Sequence, residues 1–376
     1  MNRQSEIVEQ YFIKDKSAKE YIVFKHADKT WILPSDSIGQ ALSLYQPSTW
    51  KGKALKYAVR FGKGNKIGER IHLKKKRIRL KDEILERIEE ITELDRNEFE
   101  VAVYMGDTSS WQNEKVTLQV YDRNEIFCYL KLTENERVSK NFTHEIRALN
   151  YLEEKKLTNV PHVLVNEKNN GIHYFAQSTE SGFNESPKLD LSNKQLDFLW
   201  DINQKTAKKL NYEEAEFAYY VEYLKSHKDD FKDWEKEVLE RGISWVEKRL
   251  KEEPYIYSFF HGDFTPWNVY YKNGELKAFD FEYAHFSMPE YMDVFHFITQ
   301  ASMLGRKAQA GGVIHEYRRC FHRLERYVGN PDFTYTCYLL FVMSFYMMRT
   351  EDALKVLNDK FKVWIEVLDY LTENHK

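Results

Sequence analysis

Cysteine is nearly absent: the 376-residue chain has three, at 128, 320 and 337, odd in number, far apart and without a C-x-x-C pair. That excludes a disulfide framework and a cysteine-rich zinc site, and a reducing cytoplasm is expected. Proline, with 8, and glycine, with 15, are also scarce, while 42% of residues are hydrophobic and 31% charged. Collagen-like, linker-like and disordered chains are thereby excluded for most of the length. The longest apolar run, Cys337 to Met348, is too short to cross a bilayer, which takes about 20 residues. The opening MNRQSEIVEQ holds no apolar signal-peptide core, so the protein is expected to be neither secreted nor membrane-spanning. Net charge is only −3, so no global field draws in nucleic acid. Aromatic residues are plentiful instead, with 25 Tyr and 24 Phe, enough for an aromatic core.

The length suits two or three domains. Short strands are expected at Val8 to Ile13, Glu20 to Lys25 and Thr30 to Pro34, from their alternating apolar residues between charged turns. DEILERIEEITEL, with Ile84, Ile88 and Ile91 on one stripe, predicts a helix from Lys81 to Leu94. Strands follow from Glu100, Lys115 and Glu125, then a helix over 140–155, and strands at Val163 to Asn166 and Gly171 to Gln177. From Leu191 the pattern is mostly helical, interrupted by 255–290. The fold class is thus α+β, a β-rich half followed by an α-rich half, with the junction near Ser178 to Ser186.

Residues 50–81 carry thirteen Lys/Arg and one acid, Glu69. In their first part Trp50, Ala54, Tyr57, Ala58 and Phe61 share one helical stripe, and Lys53, Lys56, Arg60 and Lys63 another. A helix of this kind either docks its aromatic stripe on the neighbouring fold or lies on an anionic membrane, to which the second cluster, Lys74 to Arg79, would add charge. Nothing in the segment resembles a nucleic-acid reading module, so no specific nucleic acid is expected. The glycines from Gly62 to Gly68 miss the spacing of a nucleotide-binding loop and follow no strand.

The informative stretch is HGDFTPWNVYYKNGELKAFDFEYA, from His261 to Ala284. Asn273-Gly274 between apolar residues is a strong hairpin signal, because both turn residues take φ > 0. A two-residue loop there pairs Lys272 with Glu275 and, counting back, Asn268 with Phe279. Asn268 and Asp280 then lie beside each other, and an amide oxygen next to a carboxylate suits Mg²⁺ held together with phosphate oxygens. Asp263, five residues before Asn268 in a Pro-containing loop, is placed to act as a general base. Glu282, two residues beyond Asp280 on an alternating strand, is expected to point to the same face, where it would bind a second metal or a water.

An Asp, an Asn five residues on, and a second Asp after a short hairpin make the layout of kinase catalytic loops. The sequence resembles the aminoglycoside phosphotransferase and choline kinase superfamily. His261-Gly262-Asp263 with Asn268 is similar to the aminoglycoside-kinase catalytic loop, and Asp280 to Ala284 to the choline/ethanolamine-kinase metal motif. Asp293 matches the family's aspartate that braces the catalytic loop.

The resemblance implies a protein-kinase-like two-lobe fold with an N-terminal extension: 1–97 the extension, 98–182 the β-rich N-lobe, 183–376 the α-rich C-lobe. It implies ATP and Mg²⁺, with Lys131 and Glu145 in the places of the strand lysine and helix glutamate that serve the phosphates. Gly106, Thr108, Ser109 and Ser110 would cradle phosphate, and Gln177, Ser178 and Thr179 would meet the adenine. Asp263 and His261 form the catalytic pair, the histidine ordering the loop rather than moving protons. His296 and His285 are expected to be surface or satisfied core histidines.

Only eight residues separate Asp280 from Pro289, leaving no room for a peptide platform. The acceptor is therefore expected to be a small hydroxylated molecule, walled by residues 184–254 and the tail after Ala301. ILPSDSIGQALSLYQPSTWKGK, from Ile32 in the N-terminal extension, resembles proteins associated with bacterial envelope polysaccharide or glycolipid synthesis, which favours a sugar, glycan or lipid-linked saccharide. The alternatives are a choline/ethanolamine- or aminoglycoside-type kinase, the latter drawing on Glu213, Glu214 and Glu216 as an acidic wall. A nucleotide-binding pseudokinase scaffold is the non-enzymatic alternative. The expected location is cytoplasmic, with peripheral contact at the inner face of the membrane through residues 50–81.

Overall fold

The computed structural model describes residues 10–26, 29–45, 47, 50–61, 73–106, 115–182 and 187–373. Its contacts divide the chain into two units: the first comprises residues 1–154, 158–186 and 270–277, the second 155–157, 187–269 and 278–376.

The first unit is built on one antiparallel sheet of nine strands: β1 (Phe12–Lys14), β2 (Glu20–His26), β3 (Lys29–Pro34), β4 (Lys74–Leu80), β5 (Glu100–Met105), β6 (Val116–Tyr121), β7 (Ile126–Thr133), β8 (Val163–Asn169) and β9 (Ile172–Ser178). The strands lie in the order β1-β4-β2-β3-β5-β6-β7-β9-β8. Pairing of β3 with β5, Ile32 opposite Val103, joins the N-terminal strands to the later ones. Successive residues face opposite sides, so Ile32, Val103, Leu118 and Leu130 fill one face while Trp31, Ala102 and Tyr121 fill the other. The first face is covered by α2 (Asp82–Thr92), whose Ile84 and Ile88 are buried with Ile91 packed alongside, as the stripe predicts. The expected first strand begins only at Phe12; residues 8 and 9 lie outside the described residues.

The basic stretch resolves into two different elements. Its first part is α1 (Trp50–Phe61), which buries Gly52 and Val59. The aromatic stripe faces outward instead of docking: Trp50 is 74% exposed, Tyr57 68% and Phe61 55%. The second cluster forms β4, between β1 and β2 in the sheet, where Lys75 pairs with Glu20 at 3.0 Å and Arg79 with Asp82 at 2.9 Å. Lys63 and Glu69 lie outside the described residues. A longer helix of this unit, α3 (Glu136–Glu154), packs on β7 and β8.

The second unit is helical, with α4 (Asn193–Thr206), α5 (Glu216–Ser226), α6 (Asp233–Glu252), α7 (Met292–Gln300), α8 (Ala310–Leu324), α9 (Pro331–Arg349) and α10 (Asn358–Glu373). Between α4 and α5 runs β10 (Lys208–Leu210), too short to show a period in sequence, which pairs with β11 (Tyr255–Phe260). β14 (His285–Pro289) completes the sheet of β10 and β11, and the hairpin of β12 (Val269–Lys272) and β13 (Glu275–Ala278) has its residues 270–277 in the first unit. Apart from Asp332, every residue of α9 from Pro331 to Ser344 is buried, as a nearly all-round apolar helix must be, and its last turn emerges. Asn330 caps its start, the side-chain oxygen accepting from the Phe333 N–H at 3.0 Å. Among the described residues no helix is long and apolar enough to cross a membrane. The β-rich first part and helical second part give the α+β class expected.

Candidate active site

In the second unit the loop expected to be catalytic, from His261, follows β11 directly. The buried carboxylate of Asp293, in the first turn of α7, accepts two loop N–H groups, from His261 at 2.8 Å and Gly262 at 3.2 Å. Burial pushes the Asp293 carboxyl up to about 8, against the lowering by those two donors. Gly262 takes φ +81°, and a Cβ built there would lie 1.9 Å from the Tyr283 carbonyl oxygen, so only glycine lets the loop pass this close.

His261 is fully buried. Its Nε2–H donates to the Phe279 carbonyl at 3.1 Å, which leaves Nδ1 to accept from the Asp263 N–H at 3.3 Å. Burial holds its imidazole down at about 4, against raising by Asp263 and Asp280. A neutral ring with both nitrogens engaged ties the loop to the strand end.

Asp263 is gripped from two sides. Asn268 Nδ2 donates to its Oδ2 at 2.7 Å and to its main-chain carbonyl at 2.9 Å. His296 Nε2 lies 3.2 Å from its Oδ1, and because a carboxylate only accepts, that nitrogen carries the proton. Its side chain keeps 30% of its surface exposed, against 5% for His296. His296 is the residue that sequence reasoning passed over as a plain core histidine. The signal was its place three residues after Asp293 on the same helix, hence on the same face.

The hairpin register is as expected. Asn273 and Gly274 take φ 52° and 83°, and Phe279 N–H donates to the Asn268 carbonyl at 3.0 Å. With Nδ2 of Asn268 turned to two oxygens of Asp263, its Oδ1 is left with no hydrogen-bond partner among the described residues. Asp280 sits one residue past the register pair with φ 70°, a left-handed conformation that costs a non-glycine residue energy and accumulates at functional positions. Glu282 departs from expectation: residues 279–284 form a turn, closed by Ala284 N–H to Phe281 O at 3.1 Å, so strand alternation does not set its direction. Among the described residues no three His, Cys, Asp or Glu side chains form a metal cluster. An amide oxygen and a carboxylate fit an ion that takes most of its ligands from phosphate and water, as Mg²⁺ does.

In the first unit Lys131 on β7 meets Glu145 on α3 with Nζ 2.8 and 2.7 Å from the two carboxylate oxygens, both side chains nearly fully buried. Lys131 Nζ also lies 5.3 Å from the centre of the Phe175 ring. Gly106 is buried just after β5; Thr108, Ser109 and Ser110 lie outside the described residues. Gln177 is buried on β9 with Oε1 unpartnered. The hydroxyls of Ser178 and Thr179 are engaged locally, accepting from the N–H of His162 at 2.8 Å and of Ser181 at 3.0 Å.

A family model described as the phosphotransferase enzyme family matches residues 103–327. No curated protein matches the sequence. Among solved structures, an amicoumacin kinase with AMP-PNP and Ca²⁺ is 14% identical, covering 76% of this chain and 93% of its own, with a TM-score of 0.46. Aminoglycoside phosphotransferase APH(2'')-Ib with ADP is 14% identical over 78% and 99%, TM-score 0.45. A thermostable mutant of aminoglycoside phosphotransferase APH(4)-Ia with ADP and hygromycin B is 12% identical over 77% and 98%, TM-score 0.47. The family match takes in more than half of the chain and every residue of the loop just described, and so the chain belongs to the phosphotransferase enzyme family, a kinase that passes phosphate to an alcohol group.

Proposed function

We propose that the chain is an ATP- and Mg²⁺-dependent kinase that phosphorylates a hydroxyl of a sugar, glycan or lipid-linked saccharide. One observation carries this reading: Asp263, its side chain 30% exposed, is oriented by Asn268 and His296 while the amide oxygen of Asn268 is left over for a cation. Asp263 receives the proton of the acceptor hydroxyl, worth about 10²–10⁴ in rate for a positioned base. Asn268 and Asp280 would hold Mg²⁺, which when bound neutralises charge on the phosphates. His261, neutral and enclosed, fixes the loop and moves no proton. Lys131, aimed by Glu145, serves the nucleotide's phosphates.

The test is nucleotide binding by calorimetry with and without Mg²⁺. Asp280→Asn is expected to lose the Mg²⁺-dependent part of ATP binding while Asp263→Asn keeps it. Equal Mg²⁺ dependence in Asp280→Asn and wild type would overturn the metal assignment.

A second element of the reading concerns place. The outward Trp50, Tyr57 and Phe61 on α1, beside Lys51, Lys53, Lys56 and Arg60 with no acid in the helix, favour peripheral contact with an anionic membrane from the cytoplasmic side. Each basic residue near such a surface contributes about 1 kcal/mol. Salt-sensitive co-sedimentation with phosphatidylserine vesicles, lost when Trp50, Tyr57 and Phe61 become Ser, is the expected result; no pelleting at low salt would refute it.

A further inference from the structure

The last turn of α9 leaves the core beside the catalytic loop, and it carries Phe345, Tyr346 and Arg349. The link to the loop is direct. Tyr283, whose carbonyl closes against Gly262, has its ring 5.5 Å from that of Phe345. The Arg349 guanidinium lies 4.6 Å from the centre of the Tyr283 ring and 5.0 Å from that of Phe345. Lys360, at the start of α10, places its ammonium 5.0 Å from the centre of the neighbouring Tyr346 ring. Burial, with the charge of Asp263 adding to it, raises the Tyr346 hydroxyl, and the Tyr346 ring lies 5.7 Å from that of Phe345.

Neither Arg349 nor Lys360 makes an ion pair with a carboxylate of the described residues. Lys360 is partly buried, and desolvation lowers its pKa, so its charge stands in a partly dry place without a counter-ion. The rings that would attract a cationic headgroup are already covered by the protein's own cations. Two of the acids that would form a wall against a polyamine, Glu214 and Glu216, are occupied. Glu214 accepts from Asn211 N–H at 2.8 Å, and Glu216 accepts from Phe286 N–H at 2.9 Å and stands 3.4 Å from His285.

We infer that the hydroxylated acceptor carries an anionic group, a carboxylate or a phosphate, received by Arg349 and Lys360 over the Tyr283, Phe345 and Tyr346 rings. The inference rests on the kinase reading above and narrows its substrate class. It sets choline-like and polyamine acceptors aside, since both would bring positive charge to a positive wall.

The test uses the full chain holding Mg²⁺ and a non-hydrolysable ATP analogue, with ligand-observed NMR of four probes: glucose, glucosamine, glucuronate and glucose 1-phosphate. At least one anionic probe is expected to bind about tenfold more tightly than glucose, a step of ~1.4 kcal/mol, and glucosamine more weakly than glucose. Which of the two anions binds distinguishes carboxylate from phosphate. In Arg349→Gln/Lys360→Gln the preference is expected to vanish while the affinity for the nucleotide analogue stays within twofold. Glucosamine binding tightest, no preference for either anion, a preference that survives the double substitution, or a loss confined to nucleotide affinity would each overturn the inference. Failure of the analogue itself to bind wild type would instead count against the kinase reading.

Discussion

Gly262→Ala separates backbone strain from steric displacement of the active site. Gly262 and Gly171 share nearly the same backbone conformation, φ +81° and +82°, but a Cβ on Gly171 would meet nothing within 4 Å, whereas one on Gly262 would stand 1.9 Å from the Tyr283 carbonyl oxygen. Left-handed backbone costs an L-residue about 1–2 kcal/mol, and that is the whole expected effect of Gly171→Ala on stability. At Gly262 the contact must also open from 1.9 Å to at least 3.0 Å, a shift of about 1 Å in either the loop bearing Asp263 or the turn after Asp280. Misplacement on that scale costs on the order of 10² in rate. Urea denaturation and acceptor-dependent ATP turnover, measured on both variants, give the comparison. Gly171→Ala is expected to lose stability with kcat unchanged, and Gly262→Ala to lose more stability together with about 10²-fold in kcat. A Gly262→Ala enzyme with wild-type kcat would show that the loop and the turn do not need to sit this close.

Lys131→Met removes the cation from the buried Lys131–Glu145 pair and is expected to cost about 3–5 kcal/mol, whereas Lys131→Met/Glu145→Leu recovers most of that stability without recovering turnover; recovery of turnover, followed alongside denaturant midpoints, would remove Lys131 from the phosphate site. His296→Phe deletes the donor to Asp263 together with a buried Nδ1 that has no partner, so the thermal midpoint should hold while kcat falls roughly 10–100-fold, the equivalent of a 1.5–3 kcal/mol bond to a charged group; unchanged kcat would assign His296 to packing alone. Asp293 and His261 set opposing pH slopes. The folded Asp293 carboxyl, at about 8, keeps a proton that the unfolded chain has released, so stability falls as pH rises toward 8; the folded His261, at about 4, refuses a proton that the unfolded chain takes up, so stability falls as pH drops from 6.5 to 4. The two oppose each other below 6.5, and Asp293 alone acts from 6.5 to 8. Asp293→Asn is therefore expected to remove the decline above 6.5 and to uncover the rise from 4 to 6.5 in a series of melting curves; an unaltered profile would refute the assignment.

What was legible in the sequence was whatever a short-range rule governs. Asn273-Gly274 fixed a two-residue turn, and from it the Asn268–Phe279 register followed by counting. The stripe of Ile84, Ile88 and Ile91 gave α2 its buried face because a helix repeats every 3.6 residues. Contacts that depend on long-range packing were not legible. The side of α1 that is buried turned out to be Gly52 and Val59, because burial is decided by what the sheet offers and not by which stripe is more apolar. Glu282 was assigned by strand alternation that stops at Ala278, where Asp280 takes a left-handed turn. The His296–Asp263 contact joins residues 33 apart through the placement of α7. Arg349 reaches the Tyr283 ring only because the buried length of α9 delivers its last turn there, and Lys360 meets Tyr346 from α10.

The most direct measurement of the central claim is acceptor-dependent ADP formation by the purified full chain with ATP and Mg²⁺, compared between wild type and Asp263→Asn over a panel of sugars, sugar acids and sugar phosphates. The account predicts turnover with at least one such acceptor, identification of a phosphate ester on its hydroxyl by mass spectrometry, and a fall of about 10²–10⁴ in kcat for Asp263→Asn with ATP binding retained. Equal turnover by wild type and Asp263→Asn on the same acceptor would contradict it.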